Sequence, residues 1–266
     1  MYSRFFAFGC SFTYYKWPTW ADYLYAGNIS QEYQNWGLPG GSNSFIFHSL
    51  TECDATNTIN KDDLVCIMWS QPHRLADYTH TGGWKMSGSV FTFQPKDRVQ
   101  KYWNEDQSTI ETLSYMHAAK QILDGIGCDY KFLSLSKVNL RPDYTGKFAN
   151  VQQSISVNMD EFLGYTPEEI RNNGWRDTLP GDYHPSPREH SQLAKSLEYN
   201  TDKDRIDRLC QAADDYIFNA VNPEVQIITV FPEKHPTGRL PAISGKINGS
   251  SGELMNVSTL QPFNWE

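Results

Sequence analysis

Apolar positions along this chain follow two alternating rhythms. Arg4 to Phe8 is a short, nearly continuous apolar run, the pattern of a strand buried on both faces. Glu32 to Trp36 predicts a second strand, closed by Gly37-Leu38-Pro39-Gly40-Gly41, after which Ser42 or Asn43 can cap a helix reaching about Thr51. Leu64 to Trp69 is the clearest strand in the chain and stops at Ser70-Gln71-Pro72. From about Asp106 to Ile126, the residues Ile110, Leu113, Ala118, Ile122 and Leu123 recur at helical spacing, and Tyr130 to Leu135 reads as the next strand. Pro187 to Leu197 and Asp202 to Val221 read as helices, the second with a core stripe of Ile206, Leu209, Cys210, Ala213 and Ile217. Strands alternating with helices predict an α/β fold built on a doubly wound parallel sheet.

Two stretches interrupt the rhythm, about 72–104 and 137–181. The first is rich in Gly and aromatics, with a strand expected at Ser89 to Phe93; the second carries a helix start at Thr166-Pro167-Glu168-Glu169. Insertions of this length serve as binding loops or lids, or else as surface decoration. The text changes again after Val221. Residues 1–221 are therefore expected to form the α/β domain. The stretch 222–266, with one apolar burst (Val225 to Phe231) and Gly-rich text near Gly245, is expected to be an arm or hairpin. Such an arm can tie back to its own domain or pair with a neighbouring subunit.

Composition narrows the partners. The net charge is −8 and no Lys/Arg-rich run occurs, which argues against nucleic acid or an anionic membrane. Five cysteines stand far apart with no C-x-x-C pair, so neither a zinc knuckle nor a disulfide framework is expected, and buried free thiols are. Neither a signal-peptide pattern nor a membrane span is legible, so a cytoplasmic location is expected, or incorporation in an assembly made there. Aromatics reach 14% of residues, enough to line a binding surface or simply to pack loops onto the sheet.

The candidate chemistry sits at strand ends. Gly9-Cys10-Ser11-Phe12-Thr13 follows the first strand, and the carboxyl edge of a parallel sheet is where ligands bind. A serine hydroxyl needs a base to become a nucleophile. His184, in the Gly/Pro-rich loop Asp182-Tyr183-His184-Pro185-Ser186, is the candidate base, and Asp182 the candidate for orienting its ring. The structural alternatives are a turn with a cap at Ser11 and a turn-capping Asp182 beside a partly exposed His184. His190 reads as a helix-surface or packing residue. Donors for an oxyanion would be the Ser11 N–H, the Gly40 N–H and either Gln71 or Ser70, although Gly40 can equally serve a turn and Gln71 end a strand.

In ordered blocks over about residues 3–200, these segments resemble the SGNH (GDSL-like) hydrolase family. Phe8-Gly9-Cys10-Ser11-Phe12-Thr13 is similar to its first block, with Cys10 where an acid is usual. Asn35 to Gly40 looks like the second block, Trp69-Ser70-Gln71-Pro72 stands where the third reads Gly-x-Asn-Asp, and Asp182 to Ser186 resembles the fifth with shortened Asp–His spacing. Trp69 to Arg74 also resembles divergent members from tailed phages. The resemblance implies a three-layer, flavodoxin-like sheet and an ester hydrolase working without metal or organic cofactor. In it Ser11 would be nucleophile, His184 base and Asp182 orienting acid, with Gly40 and Gln71 or Ser70 at the oxyanion. The substrate expected is a small-molecule or glycan ester, for instance an O-acetylated glycan, since the aromatic-rich insertions could stack on sugar rings. The altered third and fifth blocks also fit a non-catalytic virion or assembly protein on the same scaffold, self-associating through the arm.

Overall fold

The computed structural model of the chain describes residues 1–80, 83–90, 103–135, 150–151, 153, 159–161 and 184–221. Its elements, in chain order, are β1 (Tyr2–Phe8), α1 (Trp20–Ala26), β2 (Ser30–Asn35), α2 (Asn43–Asn57), β3 (Leu64–Trp69), β4 (Arg74–Thr79) and β5 (Gly83–Ser89). There follow α3 (Glu105–Ile126), β6 (Asp129–Ser134), β7 (Met159–Glu161), α4 (Pro187–Ser196) and α5 (Lys203–Val221).

Five strands form one all-parallel sheet in the order β2-β1-β3-β6-β7. With the separate hairpin β4–β5 set aside, this is the flavodoxin-like order 2-1-3-4-5, as expected. The winding runs outward from β1 to β2 and then reverses from β2 to β3. Because crossovers are right-handed, the helix of the first step and those of the second must lie on opposite faces. They do. Phe5, Ala7 and Met68 pack with α1, α4 and α5 through Trp20, Leu24, Leu193 and Ile206. Their sequence neighbours Phe6, Phe8 and Trp69 pack with α2 and α3 through Phe45, Leu50, Met116 and Leu123. Every residue of β3 is buried, which is why its run is unbroken by polar residues. Truncating a ring such as Phe8, fully buried, is expected to cost about 3–5 kcal/mol.

Several elements differ from the expectations. Helix α1 was not legible, because aromatics and a β-rich flank hide its period. Thr19 caps it, its N–H donating to Asp22 Oδ2 at 2.8 Å. Ser42, not Asn43, caps α2, its Oγ accepting from the Phe45 N–H at 3.2 Å, and the helix continues to Asn57. The buried face of α3 runs through Thr112, Leu113, Met116, Ala119 and Leu123, so Ala118 and Ile122 sit off its centre. The region after β3 folds as an antiparallel hairpin, Arg74–Thr79 on Gly83–Ser89, earlier than the strand expected at Ser89 to Phe93. Residues 91–93, the helix start at Thr166 and the arm 222–266 lie outside the described residues.

Candidate active site

In a sheet of this order the crevice opens where the winding reverses, between the carboxyl ends of β1 and β3. Ser11 follows β1 and Ser70 follows β3. Phe8 pairs with Ile67, so each serine stands three residues beyond a paired position. The chain can turn at Gly9 because no side chain fits there. A Cβ on Gly9 would lie 2.0 Å from Thr13 Oγ1 and 3.1 Å from the Met68 carbonyl oxygen. The turn closes with the Thr13 and Tyr14 N–H groups donating to the Cys10 carbonyl at 2.9 and 3.1 Å, which uses neither the hydroxyl nor the N–H of Ser11.

Ser11 Oγ and His184 Nε2 are 2.9 Å apart, hydrogen-bonded across 173 sequence positions, and Ser11 is only 4% exposed. His184 enters from the loop before α4. Ser186 caps that helix with a full capping box: its Oγ accepts from the Glu189 N–H at 3.3 Å, and Glu189 Oε2 accepts from the Ser186 N–H at 2.9 Å. Pro187 opens the helix with φ preset. The loop is tied to the Ser11 turn by Trp17, whose Nε1–H donates to the Pro185 carbonyl at 2.8 Å. Two rings frame the imidazole: Tyr15 stacks on it at 3.9 Å between centroids, and Phe12 lies tilted at 5.6 Å. Asp182 lies outside the described residues.

The neighbouring strand exits are clamped to this turn. Asn35, ending β2, donates from Nδ2 to the Thr13 carbonyl at 2.7 Å and accepts at Oδ1 from the Gly37 N–H at 2.9 Å. The Leu38 N–H donates to the Gly9 carbonyl at 3.1 Å. Gly40 follows at φ +80°, a left-handed conformation that favours glycine, with Met86 of the hairpin against it. At the exit of β3, Asn43 Oδ1 accepts from the Ser70 N–H at 2.7 Å while its Nδ2 donates to the Ser70 carbonyl at 2.9 Å. Ser70 is fully buried and Gln71 half-buried.

His190 is a core residue, not a surface one. It is fully buried on α4, set edge-on to Phe12 at 6.5 Å, and burial with nearby His184 lowers its imidazole to about 3. All five cysteines are buried and free, as expected. Burial pushes the thiols of Cys53, Cys66, Cys128 and Cys210 up, the opposite of what a nucleophilic thiolate needs. Cys10 packs into the core on the α1 side. Among the described residues no cluster of His, Cys, Asp or Glu could hold a metal, and no helix is long and apolar enough to cross a membrane. Of the residues proposed from the sequence, Ser11 and His184 are brought together; Tyr15 and Trp17, which frame and tie that pair, were not proposed, and the run of aromatics just after Ser11 was the available signal.

Comparison with known proteins gives structural likeness alone. No family's sequence profile and no curated protein matches the chain. Solved structures similar to it include a lipolytic protein of the G-D-S-L family from Desulfitobacterium hafniense DCB-2, at 11% identity and TM-score 0.42, covering 73% of this chain and 97% of that one. A lipase from a goat rumen metagenome is similar at 13% identity and TM-score 0.41, covering 73% and 95%. An acetylxylan esterase from Geobacillus stearothermophilus, a catalytic mutant, is similar at 12% identity and TM-score 0.40, covering 73% and 92%.

Proposed function

We propose that this chain is a serine esterase or deacylase acting on an acyl ester. The observation that carries the reading is the 2.9 Å contact between Ser11 Oγ and His184 Nε2, made at the crevice where the sheet's winding reverses. As the Ser11 oxygen bonds to the ester carbonyl carbon, its proton passes to His184 Nε2, and the carbonyl π electrons move onto oxygen. That oxyanion is met by the N–H groups of Ser11 and Gly40 and by the Gln71 amide. Collapse expels the alcohol, which takes the proton from His184. Water then repeats the sequence on the acyl-enzyme, releasing the acid and restoring Ser11. By its place two residues before His184 in the sequence, Asp182 is the acid we assign to orienting the imidazole and steadying the imidazolium.

An O-acetylated glycan is the substrate class we favour. Tyr78 of the hairpin is 66% exposed and stands edge-on to Trp84 at 5.5 Å, on the same hairpin whose Met86 abuts Gly40. Exposed aromatic rings on a hairpin beside that turn offer stacking faces to sugar rings. The test is hydrolysis of p-nitrophenyl acetate and release of acetate from an O-acetylated oligosaccharide, with Ser11→Ala alongside. The expected result is turnover that falls by about 10³-fold or more in the variant. Equal rates for the two proteins on both substrates would overturn the reading.

A further inference from the structure

His184 sits on the loop before α4, far from β1 in sequence, yet side chains from the stretch around Ser11 hold it. Tyr15 lies flat on its imidazole, with centroids 3.9 Å apart and planes 22° from parallel. Trp17 stands across Tyr15 at 4.7 Å and 79°, and its Nε1–H donates to the Pro185 carbonyl at 2.8 Å. Trp17 is itself buried and packs against Ile217 of α5. Phe12 closes a further side of the imidazole, tilted at 5.6 Å. One indole thus braces the ring that stacks on His184 and ties down the residue that follows His184. The stretch that carries the nucleophile also carries these contacts to its base.

A stack occupies the face of an imidazole and leaves the ring edge, where both nitrogens lie, to hydrogen bonds. The 2.9 Å contact between Nε2 and Ser11 Oγ is made at that edge. Turning the ring about its bond to Cβ would break the stack, so the same contact fixes where Nε2 points. On taking the Ser11 proton, His184 becomes a planar, delocalised cation 3.9 Å from an aromatic centroid. That is well inside the roughly 6 Å range over which a ring face attracts a cation. The attraction is stronger for the imidazolium than for the neutral ring, so it grows as the reaction proceeds and lowers the barrier rather than tightening substrate binding. Lys16 Nζ lies 5.8 Å from the same ring, near the limit of that range, and leaves most of the attraction to the nearer imidazole.

We propose that Tyr15 is a positioning residue that holds His184 Nε2 on Ser11 by stacking and steadies the imidazolium formed during acyl transfer; the proposal rests on the esterase reading above. The experiment compares Tyr15→Phe, which keeps an aromatic face, with Tyr15→Leu, which keeps apolar bulk without one, on kcat and KM for p-nitrophenyl acetate. Tyr15→Leu is expected to lower kcat about tenfold with KM within about threefold, and Tyr15→Phe to stay within about threefold of wild type in both. By NMR, the carbon-bound ring protons of His184 are expected upfield in wild type and Tyr15→Phe relative to Tyr15→Leu, because an aromatic face shields protons stacked on it. An unchanged kcat in Tyr15→Leu overturns the proposal, as do equal losses in the two variants or a loss expressed in KM alone. If Tyr15→Leu fails to fold, Tyr15→Met carries the same comparison. Wild-type protein without Ser11-dependent turnover would overturn the esterase reading, and this role with it. Active wild type with the His184 protons unmoved in Tyr15→Leu overturns the positioning role alone.

Discussion

His190 shows what burial does to a single side chain beside a candidate site. Neither of its ring nitrogens has a hydrogen-bond partner among the described residues, and burial together with His184 lowers it from 6.5 to about 3. Between those values the unfolded chain binds a proton that the folded chain refuses, so stability falls as pH drops from about 6.5 towards 3. His190→Leu is expected to flatten that dependence. Urea unfolding at a series of pH values checks it; parallel curves for both proteins would refute it. Ser11 and His184 were legible because serine and histidine at strand or helix boundaries carry recognisable chemistry. Asn43, Tyr15 and Trp17 were not, because their roles come from contacts with Ser70, His184 and Pro185 far away in sequence. Gly40 was legible as a turn, but the hairpin residue Met86 beside it was not.

Among the elements, α4 does the most for the site because its first turn determines where His184 stands. Ser186→Ala removes the Oγ acceptor for the Glu189 N–H and one of the donors to Glu189 Oε2. The expected cost is about 1 kcal/mol in thermal or chemical unfolding, with a larger relative loss in kcat than in stability as the His184 loop loosens. An unchanged kcat in a destabilised protein would contradict the coupling of cap to site. Strands β1 and β3 and helices α4 and α5 were legible because burial on a whole face writes its period into the sequence. Helix α1 was hidden: its seven residues hold two tyrosines and a tryptophan, and its start depends on a Thr19 hydroxyl that donates to the Thr13 carbonyl at 2.6 Å. The β4–β5 hairpin was not legible because its strands are only half-buried and alternate weakly.

At the scale of the molecule, the two edges of the parallel sheet have divided tasks. The carboxyl edge carries Ser11, Gly40 and Gln71, while the amino edge is held by Arg4. Its guanidinium grips the buried Asp63 through Nε and Nη2 at 2.9 and 2.6 Å and donates to the Asn57 and Thr58 carbonyls at 2.9 and 3.1 Å. Arg4→Ala would leave the buried Asp63 carboxylate without its cation and held only by the Asn60 N–H at 2.9 Å, an expected loss of about 3 kcal/mol in unfolding free energy with kcat per folded molecule unchanged. A loss well under 1 kcal/mol would show that Asp63 finds other support.

The central claim is that Ser11 is a nucleophile activated by His184, and covalent labelling tests it most directly. Wild-type protein incubated with a fluorophosphonate is expected to gain one adduct by intact mass, mapped by peptide digestion to Ser11. The adduct should be absent in Ser11→Ala and formed far more slowly in His184→Ala. An unlabelled wild type, or an adduct that persists in Ser11→Ala, would contradict the account.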